Sequence, residues 1–172
     1  MDKQEMDRWA AGSLPSSVIC YLLRGRGERF PFQNGEATAF VEGIPRGSGE
    51  WHAAQLQSLA FVERWGYEKL DRAGIDVGVV VYSSGGGAGS RTLCQLRSTI
   101  LHRRVLSSPC AAGAFGAAML AASGTVYSCD ISQAIQGMNT VRDAYQPEAR
   151  TTNRYDELYG QFREACARRG YH

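Results

Sequence analysis

Residues Val79–Leu93 read VVVYSSGGGAGSRTL, a β-branched run, two serines, three consecutive glycines and then residues able to open a helix. Glycine loses more conformational entropy on folding than any other residue, so a triplet is unfavourable unless the backbone needs φ > 0 or must be approached closely. A strand, a glycine turn and a helix start together make a common seat for a phosphate or nucleotide, because the first helical amides point outward and the dipole favours an anion. The same pattern also makes a plain tight turn. The residues alone leave both readings open.

Outward from the glycines, Val77–Tyr82 is a continuous apolar run, the form of a strand buried on both faces. Ser90–Leu101 is helical in pattern, Val105-Leu106 makes a brief strand, and Gly113–Ser123 (GAFGAAMLAAS) is a helix of small residues that lets another backbone come close. Upstream, Trp51–Ala73 reads as a helix with Leu56, Leu59, Ala60, Val62 and Leu70 as its apolar positions and Gly74 as its stop. Thr38–Ile44 reads as a short strand bounded by Pro45. Downstream, Tyr155, Leu158, Tyr159, Phe162 and Cys166 share one face of an amphipathic helix, predicted to dock as a lid on the core. Met1–Phe32, with a short apolar run at Val18–Leu23, reads as an arm rather than core. Alternating strands and helices give an α/β chain. Within its single domain, 1–35 is a loop-rich arm, 36–124 the α/β core and 125–172 a C-terminal helical segment.

With 172 residues, 44% of them hydrophobic and 21% charged, the chain has the makings of a globular domain rather than a disordered one. Its formal net charge is only +2, and its basic residues are nearly all arginine, Lys3 and Lys69 being the only lysines. Nothing in that balance calls for nucleic acid. The longest apolar run, Ala111–Ala122, is broken by two glycines and falls well short of the ~20 residues that span a bilayer, so no membrane contact is expected. The start, MDKQEMDRW, resembles neither a secretory signal nor a transit peptide, and a cytoplasmic location follows as the expectation. Cys20, Cys94, Cys110, Cys129 and Cys166 are odd in number and lack metal-site spacing, so they read as reduced thiols that fill apolar space.

Exclusion narrows the glycine motif. The chain contains no Gly-Lys pair, so the lysine of a P-loop is absent. A dinucleotide fingerprint would place glycines at 85, 87 and 90, but Ser90 occupies the third position and no acid follows to bind a ribose. No Asp or Glu occurs between Val77 and Cys129, whereas Arg91, Arg97, Arg103 and Arg104 do. This local excess of positive charge favours an anionic ligand, although any one arginine could simply cover a solvated helix face. There is no G-x-S-x-G elbow, and His52, His102 and His172 are too scattered for a metal site. No residue is assigned to catalysis or to metal binding.

Taken together, GERFPF (27–32), SGGGAGS (84–90), the LCQLRSTILHRRV that follows and AFGAAMLAA (114–122) resemble the C-terminal domain of the FGGY carbohydrate kinases, over a span from about Trp9 to the C-terminus. The resemblance implies an α/β, actin-like (ribonuclease H-like) ATPase lobe, truncated at its N-terminal hairpin. In it the glycine turn is the adenosine motif. Gly85, Gly86, Gly87 and Ala88 then lie against the nucleotide, Ser90 and Arg91 fall where members place polar groups near the adenine or α-phosphate, and the helix from Gly113 lies against the turn. ATP is the implied cofactor, with Mg carried by the nucleotide and the other lobe. The implied partner is an N-terminal sugar-binding lobe, in cis or in trans, that brings a small sugar or polyol.

The sequence departs from the family pattern at several positions. Ser98-Thr99 replaces the usual Ala-Asp, His102 and Arg104 stand where Gly and then Pro are usual, and Gln57-Ser58 replaces Glu-Gly. The catalytic aspartate belongs to the N-terminal domain, and the Gly-Thr phosphate hairpin has no counterpart here. The expected function is therefore the nucleotide-binding lobe of an ATP-dependent carbohydrate kinase, inactive alone; the alternative is a degenerate, non-catalytic binding or interaction module. A dinucleotide oxidoreductase is disfavoured by the missing glycine and acid. In the implied strand order 3-2-1-4-5, Thr38–Ile44 is third, Val77–Tyr82 fourth and the strand near Val105 fifth, while the two central strands are unassigned. The fourth strand is thus expected to expose an apolar edge, with Val18–Leu23 as a partial substitute.

Overall fold

A computed structural model describes residues 3–108 and 113–172, so Cys110 lies outside the described residues. Along the chain come α1 (Lys3–Ala11), β1 (Ile19–Tyr21), β2 (Phe40–Glu42), α2 (Ser48–Arg72), β3 (Val80–Ser83), a single 3-10 turn (Gly86–Gly89), α3 (Arg91–Leu101), β4 (Arg104–Ser107), α4 (Gly113–Thr125), α5 (Ile131–Met138), β5 (Asp143–Tyr145) and α6 (Ala149–Ala167).

Two long helices set the core. On α2 the buried residues Ala53, Leu56, Ala60, Phe61 and Trp65 recur at helical spacing, and on α6 Tyr155, Leu158, Tyr159, Phe162 and Cys166 do the same. Where the stripes meet, the Phe162 ring lies 5.4 Å from Phe61 and meets Trp65 edge-on at 6.4 Å. Both helices therefore follow their apolar periodicity.

The N-terminal stretch is not an arm beside this core. Ile19, Tyr21 and Phe32 are buried in the same cluster. Tyr21 stacks on Phe162 at 6.1 Å, and Phe32 stacks on Trp65 at 5.2 Å and on Tyr171 at 4.8 Å. The sequence hides this because a three-residue strand and one phenylalanine between prolines and glycines carry no period to read.

The strands form two sheets. β1 and β2 pair antiparallel with Cys20 opposite Val41, so the strand expected over Thr38–Ile44 shrinks to three residues and does not join the sheet that carries the glycines. That second sheet has the order β3-β4-β5, with β3 parallel to β4 and β5 antiparallel to it. Its third member falls in the stretch read from sequence as helical. β3 is also not buried on both faces. Val81 and Ser83 are buried, whereas Tyr82 on the other face is 66% exposed and Val80 only half-buried. Val81 clusters with Cys94 and Leu101 of α3, Tyr67 of α2 and its sheet neighbours Val105 and Tyr145, and the edge of β3 away from β4 carries no strand among the described residues. α4 is apolar along its length, has no buried residue and packs against α5. Among the described residues, no helix is long and apolar enough to cross a membrane.

An uncovered β-branched edge templates association. The purified chain is expected to elute from size exclusion as larger species, and Val79→Lys to shift it toward the monomer by placing a charge at that edge. A wild-type chain that is monomeric and melts reversibly would show that the edge is covered.

Candidate functional site

β3 leads straight into the glycines. Gly85 has φ 76° and ψ −164°, a combination that essentially only glycine adopts. The following 3-10 turn is closed by Ala88 N–H to the Gly85 carbonyl (3.2 Å) and Ser90 N–H to the Gly87 carbonyl (3.1 Å). Only Gly85 of the triplet has a positive φ. Its neighbours differ in another way: a Cβ built at Gly86 or Gly89 meets no atom of the chain within 4 Å, and one at Gly87 meets only the end of the Leu93 side chain at 3.3 Å. The turn therefore presents bare backbone outward. Ala88 is buried beneath it. Below lies Cys94, its Sγ 3.8 Å from the carbonyl oxygens of both Gly87 and Ala88. Burial pushes the Cys94 thiol pKa up, which keeps it a donor.

Ser90 is buried and caps α3, its hydroxyl accepting from Leu93 N–H at 3.1 Å. The sequence reading placed this polar group near a ligand; in the fold its hydroxyl is committed to the helix start. Arg91 projects into solvent with its side chain 84% exposed, 3.7 Å from Asp143.

The local excess of positive charge is largely neutralised in space. Arg97 forks onto Glu63 of α2 with two contacts of 2.6 Å and donates to Ser83 Oγ at 2.6 Å. Arg103 reaches Asp71 at 3.3 Å and lies over the Tyr67 ring. The acids missing from the sequence around the glycines are supplied by the helix that precedes them. Arg104 remains exposed at the start of β4.

The start of β5 and the residue before it, Asp143 and Arg142, are two residues that the sequence reading passed over. Arg142 Nη2 donates to the Ala88 carbonyl at 3.2 Å and its Nε to Asp143 Oδ2 at 2.8 Å. No signal pointed to them, since a strand of three residues gives no alternation. On this side of the turn a cleft of about 640 Å³ is bordered by Asp7, Arg8, Gly89, Arg91, Thr92, Arg142 and Asp143. On the other side, Ser83 and Ser84 face Gly113, Phe115 and Gly116 of α4 across a cleft of about 290 Å³. The small-residue helix thus stands across a gap from the residues leading into the turn, instead of lying against the turn itself.

The positions that depart from the family pattern are used for packing. The buried Gln57 amide accepts from Ser16 N–H at 3.2 Å and donates to the Ser16 carbonyl at 3.1 Å. Thr99 Oγ1 donates to the Gln95 carbonyl at 3.1 Å and accepts from Glu148 N–H at 3.2 Å. Ser98 Oγ bonds the carbonyls of Arg103 and Tyr145. His102 ends α3 in the left-handed region, φ 55°, and its ring lies 2.9 Å from Asp156 of α6.

The strand, glycine turn and capped helix, with the aromatic helix pair behind them, are those of the C-terminal lobe of an actin-like ATPase. The profile of the FGGY family of carbohydrate kinases, C-terminal domain, matches residues 2–125. The chain belongs to this family. Its fold is similar to that of ligand-bound xylulose kinase from Lactobacillus acidophilus, with a TM-score of 0.79 at 20% identity over 94% of this chain and 34% of that one. It is similar to a xylulose kinase from Brucella ovis at 0.76 and 24% identity, over 95% of this chain and 35% of that one. Against Plasmodium falciparum glycerol kinase with ADP the score is 0.74 at 15% identity, over 95% of this chain and 34% of that one. The chain spans about a third of the length of these kinases.

Gly85 and Gly86 separate conformation from access. Gly85→Ala is expected to cost about 1–3 kcal/mol in chemical denaturation through backbone strain, Ser90→Ala ~1 kcal/mol through the lost cap, and Gly86→Ala less than about 0.5 kcal/mol. A Gly86→Ala loss equal to that of Gly85→Ala would contradict the open face of the turn.

Proposed function

We propose that the chain is the nucleotide-facing lobe of an ATP-dependent carbohydrate kinase, acting on a small sugar or polyol held by an N-terminal lobe that is supplied in cis or in trans. The observation that carries this reading is the exposed backbone of Gly85, Gly86 and Gly89 at the mouth of a strand–turn–helix unit, where a Cβ built at any of the three meets open space among the described residues. A flat nucleotide needs such an approach. The residues fit one: Gly85, Gly86 and Gly87 form the surface with Ala88 buried beneath them, Ser90 holds the start of α3, and Arg91 offers charge at the rim. When bound, ATP supplies the phosphoryl group, and Mg²⁺ on its phosphates neutralises developing charge. This reading implies a cytoplasmic location, where ATP is supplied.

Phosphoryl transfer also needs a base on the acceptor hydroxyl. The carboxylates bordering the larger cleft, Asp7 and Asp143, are each paired, with His52 and with Arg142. The chain alone is therefore inactive as a kinase in this reading. A second reading, a non-catalytic module of the same fold, draws on Gln57, Thr99 and His102, whose side chains serve internal contacts at positions where the family pattern has other residues.

ATP titration of the purified chain distinguishes the readings. Gly87→Val is expected to weaken ATP binding by about tenfold or more, worth ~1.4 kcal/mol, whereas Lys69→Ala on α2 leaves it unchanged. Equal loss in both variants would mean that the site is elsewhere. No ADP release is expected with any pentose, hexose or polyol; sugar-dependent release abolished by Gly87→Val would contradict inactivity. Absence of ATP binding, with or without an added N-terminal lobe, would favour the non-catalytic module.

A further inference from the structure

We propose that Arg142 and Asp143 form a clamp that holds the glycine turn in the shape it presents to a nucleotide; the functional part of this inference rests on the nucleotide reading above. A glycine-rich turn has the most backbone freedom to lose, so its short internal hydrogen bonds and the long Cys94 Sγ contacts beneath it are a weak hold. The clamp adds an external one. Arg142 Nη2 donates to the Ala88 carbonyl at 3.2 Å while Nε is held by Asp143 Oδ2 at 2.8 Å. Its base is fixed as well, because Arg142 N–H donates to the Ser107 carbonyl at 2.8 Å and Asp143 sits opposite Ser107 in the β4–β5 ladder.

The chain of contacts closes on itself. β4 pairs with β3, β3 runs into the turn, the turn is bonded to Arg142, and Arg142 is bonded back to β4. Displacing the turn therefore strains a ring of contacts instead of a single loop. Asp143 also lies 3.7 Å from the exposed Arg91, a contact that solvent screens, so its hold is on Arg142. Arginine suits the place, since its rigid planar fork sets Nε and Nη2 at a fixed spacing toward the carboxylate and the carbonyl, whereas lysine offers a compact ammonium on a flexible stem. Both residues lie beyond the stretch 2–125 matched by the family profile, so the clamp is contributed by the part of the chain outside it.

The test uses the full chain with Arg142→Ala, Arg142→Lys, Asp143→Asn and, as a control distant from the turn, Arg154→Ala. Amide hydrogen exchange without ligand is read at Ala88 and Ser90, and ATP affinity is read separately. Arg142→Ala and Asp143→Asn are each expected to speed exchange at these amides by about tenfold and to weaken ATP binding by about three- to tenfold, with the control unchanged. Arg142→Lys keeps the charge and restores neither quantity. Asp143→Asn is decisive: if charge alone mattered, removing an anion near ATP would tighten binding, whereas the clamp requires it to weaken. Unchanged exchange in Arg142→Ala, or tighter ATP binding by Asp143→Asn, overturns the proposal. If the wild-type chain binds no ATP, with or without an added N-terminal lobe, the nucleotide reading falls, and exchange alone then decides whether the clamp holds the turn.

Discussion

Everything about the turn depends on an aromatic contact far behind it. Phe162 of α6 packs between Phe61 and Trp65 of α2, with Tyr21 stacked on it from the N-terminal strand. Offset and edge-on ring pairs are directional as well as apolar, so they fix the crossing of the two helices as well as drive their association. α3 is the beneficiary: Leu96 and Ile100 bury in the same cluster, seating it against both long helices. Because Ser90 caps α3, the place of that helix determines where the glycines stand.

Polar contacts then set the orientation that packing leaves loose. The Arg97–Glu63 fork is partly buried and two-pronged, and with Ser83 it ties α3, α2 and β3 at one point. Such a pair is geometrically specific, unlike the contact of the exposed Arg91, which water and salt screen. Arg142 closes the remaining side. The turn is thus supported from below by Cys94 and Ala88, from behind by α3, and from the side by β5, while its outward face stays backbone.

How much of this could be read in the sequence follows element length. α2, α3 and α6 were legible because eleven or more residues repeat a helical stripe. β3 and β4 were legible as apolar runs, but burial on both faces was the wrong inference: a parallel strand earns that only with neighbours on each side, and β3 has one among the described residues. β1 lies within the apolar run Val18–Leu23, but it pairs with β2 in a separate sheet and does not substitute for the missing strands beside β3; β5, of three residues, left no pattern. The arginines misled for a different reason. A window around the glycines contains no acid, yet Glu63 sits 34 positions before Arg97 and touches it, and sequence charge maps cannot see across a helix-to-helix contact. For the glycine triplet, entropy identified the need without separating its parts. Gly85 answers to conformation, whereas a Cβ at Gly86 would meet only open space.

The claim on which the functional account turns is that this bare backbone meets a nucleotide. The most direct measurement is an amide chemical-shift map of the isotope-labelled chain titrated with ATP. Shifts concentrated at Gly85–Arg91 and at Arg142, with the α2–α6 contact undisturbed, are the expected result. Shifts scattered over the exposed faces of α4 and α5, or none at saturating ATP, would contradict it.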